Sequence, residues 1–96
     1  LDIAWAAGIF EGEGTCGPTK HNSTQVEIRQ KDGWLCKRLR DLFGGSISIC
    51  PANMAQKRPN PINIWVVCGS RARGFLQTIY KFQSPRRKAQ IQAAIA

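Results

Sequence analysis

Two glutamates interleaved with glycines, Glu11-Gly12-Glu13-Gly14, are the residues of this chain whose types and spacing best suit chemistry. They close an apolar run, Ile3-Ala4-Trp5-Ala6-Ala7-Gly8-Ile9-Phe10, in which Ile3, Ala6, Ala7 and Phe10 recur at helical spacing. Asp2 is a helix start signal just ahead of the run. Both carboxylates therefore fall at a helix C-terminus, where the negative end of the dipole disfavours acids. A compensating cation resolves that conflict, and a hard metal bound by oxygen ligands is one that fits. The plainer alternative is a buried helix with a glycine cap and two solvated acids. Another face of the same helix is small. Ala4 and Gly8 are four apart, a spacing that lets a second backbone come close.

Composition narrows the partners. Fourteen Lys and Arg against six Asp and Glu give a net charge of +8, which argues for a polyanion, nucleic acid before membrane. Ninety-six residues make one domain, 1–96, at the small end for a self-sufficient core. Association into a dimer would relieve that limit. The four cysteines, at 16, 36, 50 and 68, form no Cys-x-x-Cys pair, and His21 is the only histidine, so a zinc finger or ribbon is not expected. Each Cys lies in or beside an apolar run, which fits a reduced, intracellular protein. No apolar run is long enough to span a membrane, and no basic leader precedes one.

The elements that must position the acids follow in order. After the first helix, Gly14–Arg29 reads as a hairpin. Its first strand, Thr15–His21, is interrupted by Gly17 and Pro18, which suits an edge. His21-Asn22-Ser23-Thr24 is its turn. In the second strand Val26 and Ile28 alternate with Gln25, Glu27 and Arg29. The apolar pair should meet the helices. The polar three, with Thr19 and His21 across from them, should form a face suited to groove edges. Gly12, Gly14 and Gly17 also spell a dinucleotide fingerprint, but that motif needs a strand before it and a helix after it, the reverse of what this sequence offers.

Asp32 caps a second helix over 33–43, with Trp34, Leu35, Leu39, Leu42 and Phe43 as its apolar face and Gly44-Gly45 as its stop. Ile47 and Ile49 alternate with Ser46, Ser48 and Cys50 in a third strand. Pro51–Pro61 is a polar loop whose composition reads as mobile, and its Lys57-Arg58 pair could reach a phosphate backbone. Ile62–Cys68 is a fourth strand, apolar on both faces. A third helix is expected over Arg71–Tyr80, burying Phe75, Leu76 and Ile79, and a last one over Arg86–Ala96 behind the Ser84-Pro85 start. The order αββαββαα predicts an α+β domain: a curved, antiparallel four-stranded sheet with helices on one face.

The stretch Ala6–Gly14 resembles the LAGLIDADG motif of homing endonucleases, with Glu11-Gly12-Glu13-Gly14 in place of Asp-Ala-Asp-Gly. Gln30-Lys31-Asp32, Gly44-Gly45-Ser46-Ile47, Trp65-Val66-Val67 and Arg86-Arg87-Lys88-Ala89-Gln90 extend the resemblance, in the family's order, over nearly the whole chain. It implies the same fold, with Trp65 and Val67 inward and Ile64 and Val66 outward. It also implies a homodimer, because one motif supplies half an active site and two motif helices pack about a two-fold axis. Ala4, Ala7, Gly8 and Glu11 would line that seam. By resemblance, Glu13 and the Gly12 carbonyl hold a divalent metal such as Mg²⁺, and Glu11 is a structural or outer-shell acid. Gln30 positions water, and Lys31 contacts a nearby phosphate. The family's basic residue from the C-terminal segment aligns with Ala96, so Arg87 or Lys88 would replace it, and Lys88 is the choice for a catalytic role. Thr19, Lys20, His21, Gln25, Glu27, Arg29, Lys31, Ser48, Lys57 and Arg58 are the expected DNA contacts. The implied activity is metal-dependent, site-specific cleavage of double-stranded DNA at a near-palindromic target. The alternative on the same fold is a non-catalytic binder, either an intron RNA maturase or a DNA-binding regulator.

Overall fold

The computed structural model describes residues 2–21 and 23–96. Helix α1 (Asp2–Glu13) leads into strand β1 (Gly14–Pro18), β2 (Thr24–Gln30) and helix α2 (Gly33–Phe43). Strand β3 (Ser46–Cys50), β4 (Ile62–Cys68), helix α3 (Gly69–Ile79) and helix α4 (Pro85–Ile95) complete the αββαββαα order, with short 3₁₀ turns at Met54–Gln56 and Tyr80–Phe82. The four strands form one antiparallel sheet in the order β1-β2-β4-β3. Pro18 lies on β1, an edge strand, where its missing N–H costs no ladder bond.

Alternation decides which face each strand buries. Val26 and Ile28 of β2 and Trp65 of β4 are fully buried, and Val67 nearly so, all on the face the helices cover. Phe75 of α3 is the hub of that layer. The rings of Phe43, Trp65 and Phe10 surround it edge-on, with centroids at 4.9, 5.3 and 6.2 Å. Burying each such side chain contributes about 1.5–3 kcal/mol. The Trp65 indole N–H donates to the Gly44 carbonyl at 2.8 Å, so its polar atom is satisfied.

Local signals fix several element ends. The Trp34 N–H donates to Asp32 Oδ1 at 2.9 Å, the N-cap bond expected for α2. Gly44, at φ 79°, ends the helix with its N–H on the Arg40 carbonyl. Ser84 caps α4, with Pro85 in the first turn. Gly14 turns α1 directly into β1. Any Cβ there would overlap the Phe10 ring, so only glycine fits the junction.

Several expectations need correcting. The first strand stops at Pro18, and Thr19 folds into the turn, where its hydroxyl accepts from the N–H groups of Ser23 and His21. Thr19 and His21 therefore do not lie across from β2. Thr15 and Gly17 take those places, paired with Glu27 and Gln25. Asn22 of the expected turn lies outside the described residues. In α2 the buried stripe is Cys36 and Leu39, with Phe43 packed against it, whereas Trp34 and Leu42 are exposed. Trp34 instead stacks edge-on with Trp5 at 6.2 Å, and the Arg38 guanidinium covers both rings. Asp2 sits inside the first turn and pairs with Arg38 at 2.6 Å rather than capping the helix from outside. Helix α3 starts two residues earlier than expected, at Gly69, and its buried face includes Ala72. Helix α4 begins at Pro85 rather than Arg86. Among the described residues no helix is long and apolar enough to cross a membrane.

Candidate active site

Helix α1 is apolar around most of its circumference but buries only Ala6, Ala7 and Phe10 in its own core. Ala7, expected at a dimer seam, is part of this chain's interior. Ala4, Gly8 and Gly12 are exposed along one side, and a Cβ added at Gly8 or Gly12 would meet nothing within 4 Å. This small, apolar side of the helix faces solvent in the single chain.

The two acids at the end of α1 diverge. Glu11 turns to the start of α4, where its carboxylate accepts from the Ser84 N–H at 2.6 Å and the Ser84 hydroxyl at 3.0 Å. The Ser84 N–H holds the Glu11 carboxyl below its ordinary pKa; partial desolvation opposes this, and the Ser84 hydroxyl, Arg87 and Arg86 add to the lowering. Glu11 is thus a structural acid, favourably placed at a helix N-terminus. Glu13, one residue past Gly12, is exposed and makes no ion pair among the described residues.

Arg87 closes the same junction from below. It is 8% exposed and lies over the Phe10 ring. Its Nε donates to the Glu11 carbonyl at 3.1 Å, and one Nη donates to the Gly14 carbonyl at 2.7 Å and to Gln90. A helix C-terminus leaves its last carbonyls without intrahelical partners. Arg87 takes those on either side of Gly12 and Glu13, and leaves the Gly12 carbonyl to other ligands. Arg87 is therefore a clamp, not a free cation. Lys88 does not reach the acids either: its ammonium sits 5.4 Å over the Tyr80 ring. Lys88, expected in a catalytic role, lies over Tyr80 and makes no ion pair with Glu13 among the described residues.

What the fold does gather is Glu13 with Gln30. Together with Arg29, Lys31 and Ile62 they line one open depression of about 310 Å³ where α1 ends beside the exit of β2. The backbone there is pinned, because Asn63 Nδ2 donates to the Lys31 carbonyl at 3.1 Å and Asp32 caps α2. Arg29 is held by Glu27 at 3.0 Å on the outer sheet face. A larger hollow of about 430 Å³ lies between α2 and α3 and contains none of the candidate residues.

The donors present suit a hard cation. Glu13 offers an unpaired carboxylate and Gly12 a carbonyl, both oxygen. They are only part of a coordination set. Among the described residues no three His, Cys, Asp or Glu side chains converge.

The outer face of the sheet carries Gln25, Glu27 and Arg29 from β2 and Ser46, Ser48 and Cys50 from β3, with Ile64, Val66 and Cys68 between them. A shallow groove along β1 and β2 runs over Thr15, Gly17, Gln25 and Glu27. Lys20 and His21 are exposed in the turn beyond β1, beside Thr19. Of the loop pair, Lys57 is exposed at a left-handed position, φ 57°, but Arg58 is engaged within the loop. The guanidinium of Arg58 donates to Cys50 Sγ at 3.1 Å and to the Pro51 carbonyl at 2.8 Å, closing the loop on itself. Asn53 and Arg58 are bridged as well, so the segment expected to be mobile is a built turn.

This is the fold of the LAGLIDADG homing endonucleases. Superposed on the homing endonuclease I-CvuI, solved with its target (Sro1.3) in the presence of calcium, the chain gives a TM-score of 0.71 at 15% identity, over 96% of this chain and 62% of that one. The same enzyme solved with the I-CreI target in the presence of magnesium, its DNA not cleaved, matches equally well. The archaeal intron-encoded homing endonuclease I-Vdi141I, complexed with DNA, gives 0.67 at 15% identity, over 95% of this chain and 63% of that one. The chain thus spans somewhat under two thirds of the length of these structures. No family model and no curated protein sequence matches it.

Proposed function

We propose that this chain is one half of a homodimeric, divalent-metal-dependent endonuclease that cleaves double-stranded DNA at a near-palindromic site. The observation that carries this reading is the shared depression of Glu13, Gln30, Lys31 and Arg29 at the open end of a helix whose small face is unpartnered. Neighbours of the same fold are complexed with DNA, and I-CvuI was solved in the presence of calcium and of magnesium. A divalent cation held by Glu13 and the Gly12 carbonyl, with the same groups of a second copy, would supply the activated water and the charge at the leaving oxygen. Within the chain, Gln30 orients water beside the scissile phosphate, and Lys31 neutralises phosphate oxygens. Lys31 and Arg29 are the cations at that depression, since Lys88 and Arg87 are engaged elsewhere. Incubating the protein with a randomised duplex library and Mg²⁺, and scoring cut ends separately from retained molecules, tests the reading.

That same engagement of Lys88 and Arg87 favours a second reading, a non-catalytic binder of DNA or intron RNA. Retention of duplex without cut ends in the library experiment would select the DNA-binding form of it.

The dimer has a clean test. Because a Cβ at Gly8 meets nothing within 4 Å in its own chain and points to solvent, Gly8→Leu should leave the monomer fold intact and act on a second copy. Sedimentation should show the wild type as a dimer and Gly8→Leu as a monomer with an unchanged circular dichroism spectrum. A dimeric variant, or a monomeric wild type at high concentration with DNA present, would sink the seam.

Binding should weaken linearly in log affinity with log salt, because phosphate contacts release counterions. Lys57→Ala should make that slope shallower by about one, the share of a single phosphate-bound lysine. Arg58→Ala should leave the slope unchanged and loosen the loop instead, since its guanidinium is spent on Cys50 and Pro51. Equal slopes for wild type and Lys57→Ala would remove Lys57 from the interface.

A further inference from the structure

The outer sheet face is not uniformly polar, and its pattern carries more than an electrostatic footprint. β4 is a central strand, and its outward residues Ile64 and Val66 are half-buried by their flanks alone, with the helix layer on the opposite face. Each stands in a cross-strand row between β2 and β3. Arg29, Ile64 and Ser48 form one row, and Glu27, Val66 and Ser46 the next. An apolar group thus sits between a charged residue and a hydroxyl in both rows. A protein partner would call for a wider apolar patch. On a chain of +8, with Arg29 on this face and Lys20, Lys31 and Lys57 exposed, the surface suits the major groove of duplex DNA.

Resting on the DNA-binding reading above, we infer that Ile64 and Val66 read thymine C5-methyl groups at two positions of each half-site, two base pairs apart. The chemistry is that of apolar contact, since the methyl is the one apolar feature a base presents in the major groove. The spacing follows from geometry. Outward residues two apart on a strand are about 6.6 Å apart, close to two base steps of about 3.4 Å each. The flanking Arg29, steadied by Glu27, and the serines supply polar contacts on either side but cannot tell thymine from uracil. The methyl can.

The experiment uses the intact chain and the duplex recovered from the randomised library. Thymines at the enriched positions are replaced singly by deoxyuridine, which removes the methyl and keeps the base pair. Each replacement at a β4-read position should weaken wild-type binding about fourfold, the scale of one buried methyl-sized group. Ile64→Ser should abolish the sensitivity at one position and Val66→Ser at the other, each leaving the remaining position intact. Both residues lie outside the helix-covered core, and circular dichroism checks the fold. The wild-type comparison stands even where a variant folds poorly. Tight duplex binding with thymine and deoxyuridine equivalent everywhere would overturn the inference while leaving the DNA-binding reading in place. So would sensitivity that both variants retain. No duplex binding at all would overturn both.

Discussion

Glu13→Gln should abolish Mg²⁺-dependent cleavage while DNA binding is kept or tightened. Glu13 is the exposed carboxylate of the α1 terminus, in the same depression as Gln30 and Lys31. The amide keeps the shape and removes the charge that offsets a cation. On the proposed reading the rate should fall by about 10²–10³-fold or more, the scale of losing one preorganised stabilising group. Binding should not suffer, because one negative charge per subunit leaves the vicinity of the phosphates. Nicking and gel-shift assays on one preparation separate the two effects, and replacing Mg²⁺ by Ca²⁺ should reproduce binding without cutting. Undiminished cleavage by the variant, or cutting in excess chelator, would refute the assignment.

The largest effect on stability is expected from Arg87→Met. The substitution keeps the aliphatic length over Phe10 but strips the Glu11 and Gly14 carbonyls of their donor and leaves the Glu11 carboxylate without its cation. Leaving a buried carbonyl without its donor costs about 1–3 kcal/mol, and the substitution strips two. In a chain of this size that lowers Tm by about 8 °C or more. Arg87→Lys should recover only part of the loss, because a single ammonium cannot span two carbonyls and a glutamine as the planar fork does. A variant that melts with the wild type in thermal denaturation would show that Arg87 is not the clamp its contacts describe.

Much of the architecture was legible because its signals are local. Asp32 and Gly44 bound α2 at the residues their capping chemistry requires, and the alternation of β2 put Val26 and Ile28 inside, whereas the inward side of β4 followed only from the family resemblance. The proximity of Glu13 and Gln30 was legible only through the family resemblance, since nothing in the spacing of residues 13 and 30 joins them. What stayed hidden concerns charged or amphipathic side chains whose partners are distant. Arg87 and Arg58 read as solvent-facing cations, yet both are turned onto backbone carbonyls, in one case 73 residues away. Lys88, the choice for a catalytic role, lies over an aromatic face. In α2, Trp34 looked like core by type. Cys36 was buried in its place because it shares a stripe with Leu39 and Phe43, while Trp34 had Trp5 and Arg38 to cover it. The shortness of β1 followed from Thr19, whose hydroxyl takes two turn N–H groups.

The latch between the end of α1 and the start of α4 joins residues 73 to 76 positions apart, through Glu11 to Ser84, Arg87 to Gly14 and Gln83 to Ala7. Such contacts form late, since the long intervening loop must close first. During synthesis α1 leaves the ribosome before α4, so the helix end that bears Glu13 gains its clamp only after α4 has been made. Until then the Glu11 and Gly14 carbonyls that flank Gly12 and Glu13 lack their arginine donor. On the proposed reading, competence for DNA cleavage is thereby tied to completion of this stretch of chain, and a fragment without α4 would carry the acidic motif without its clamp.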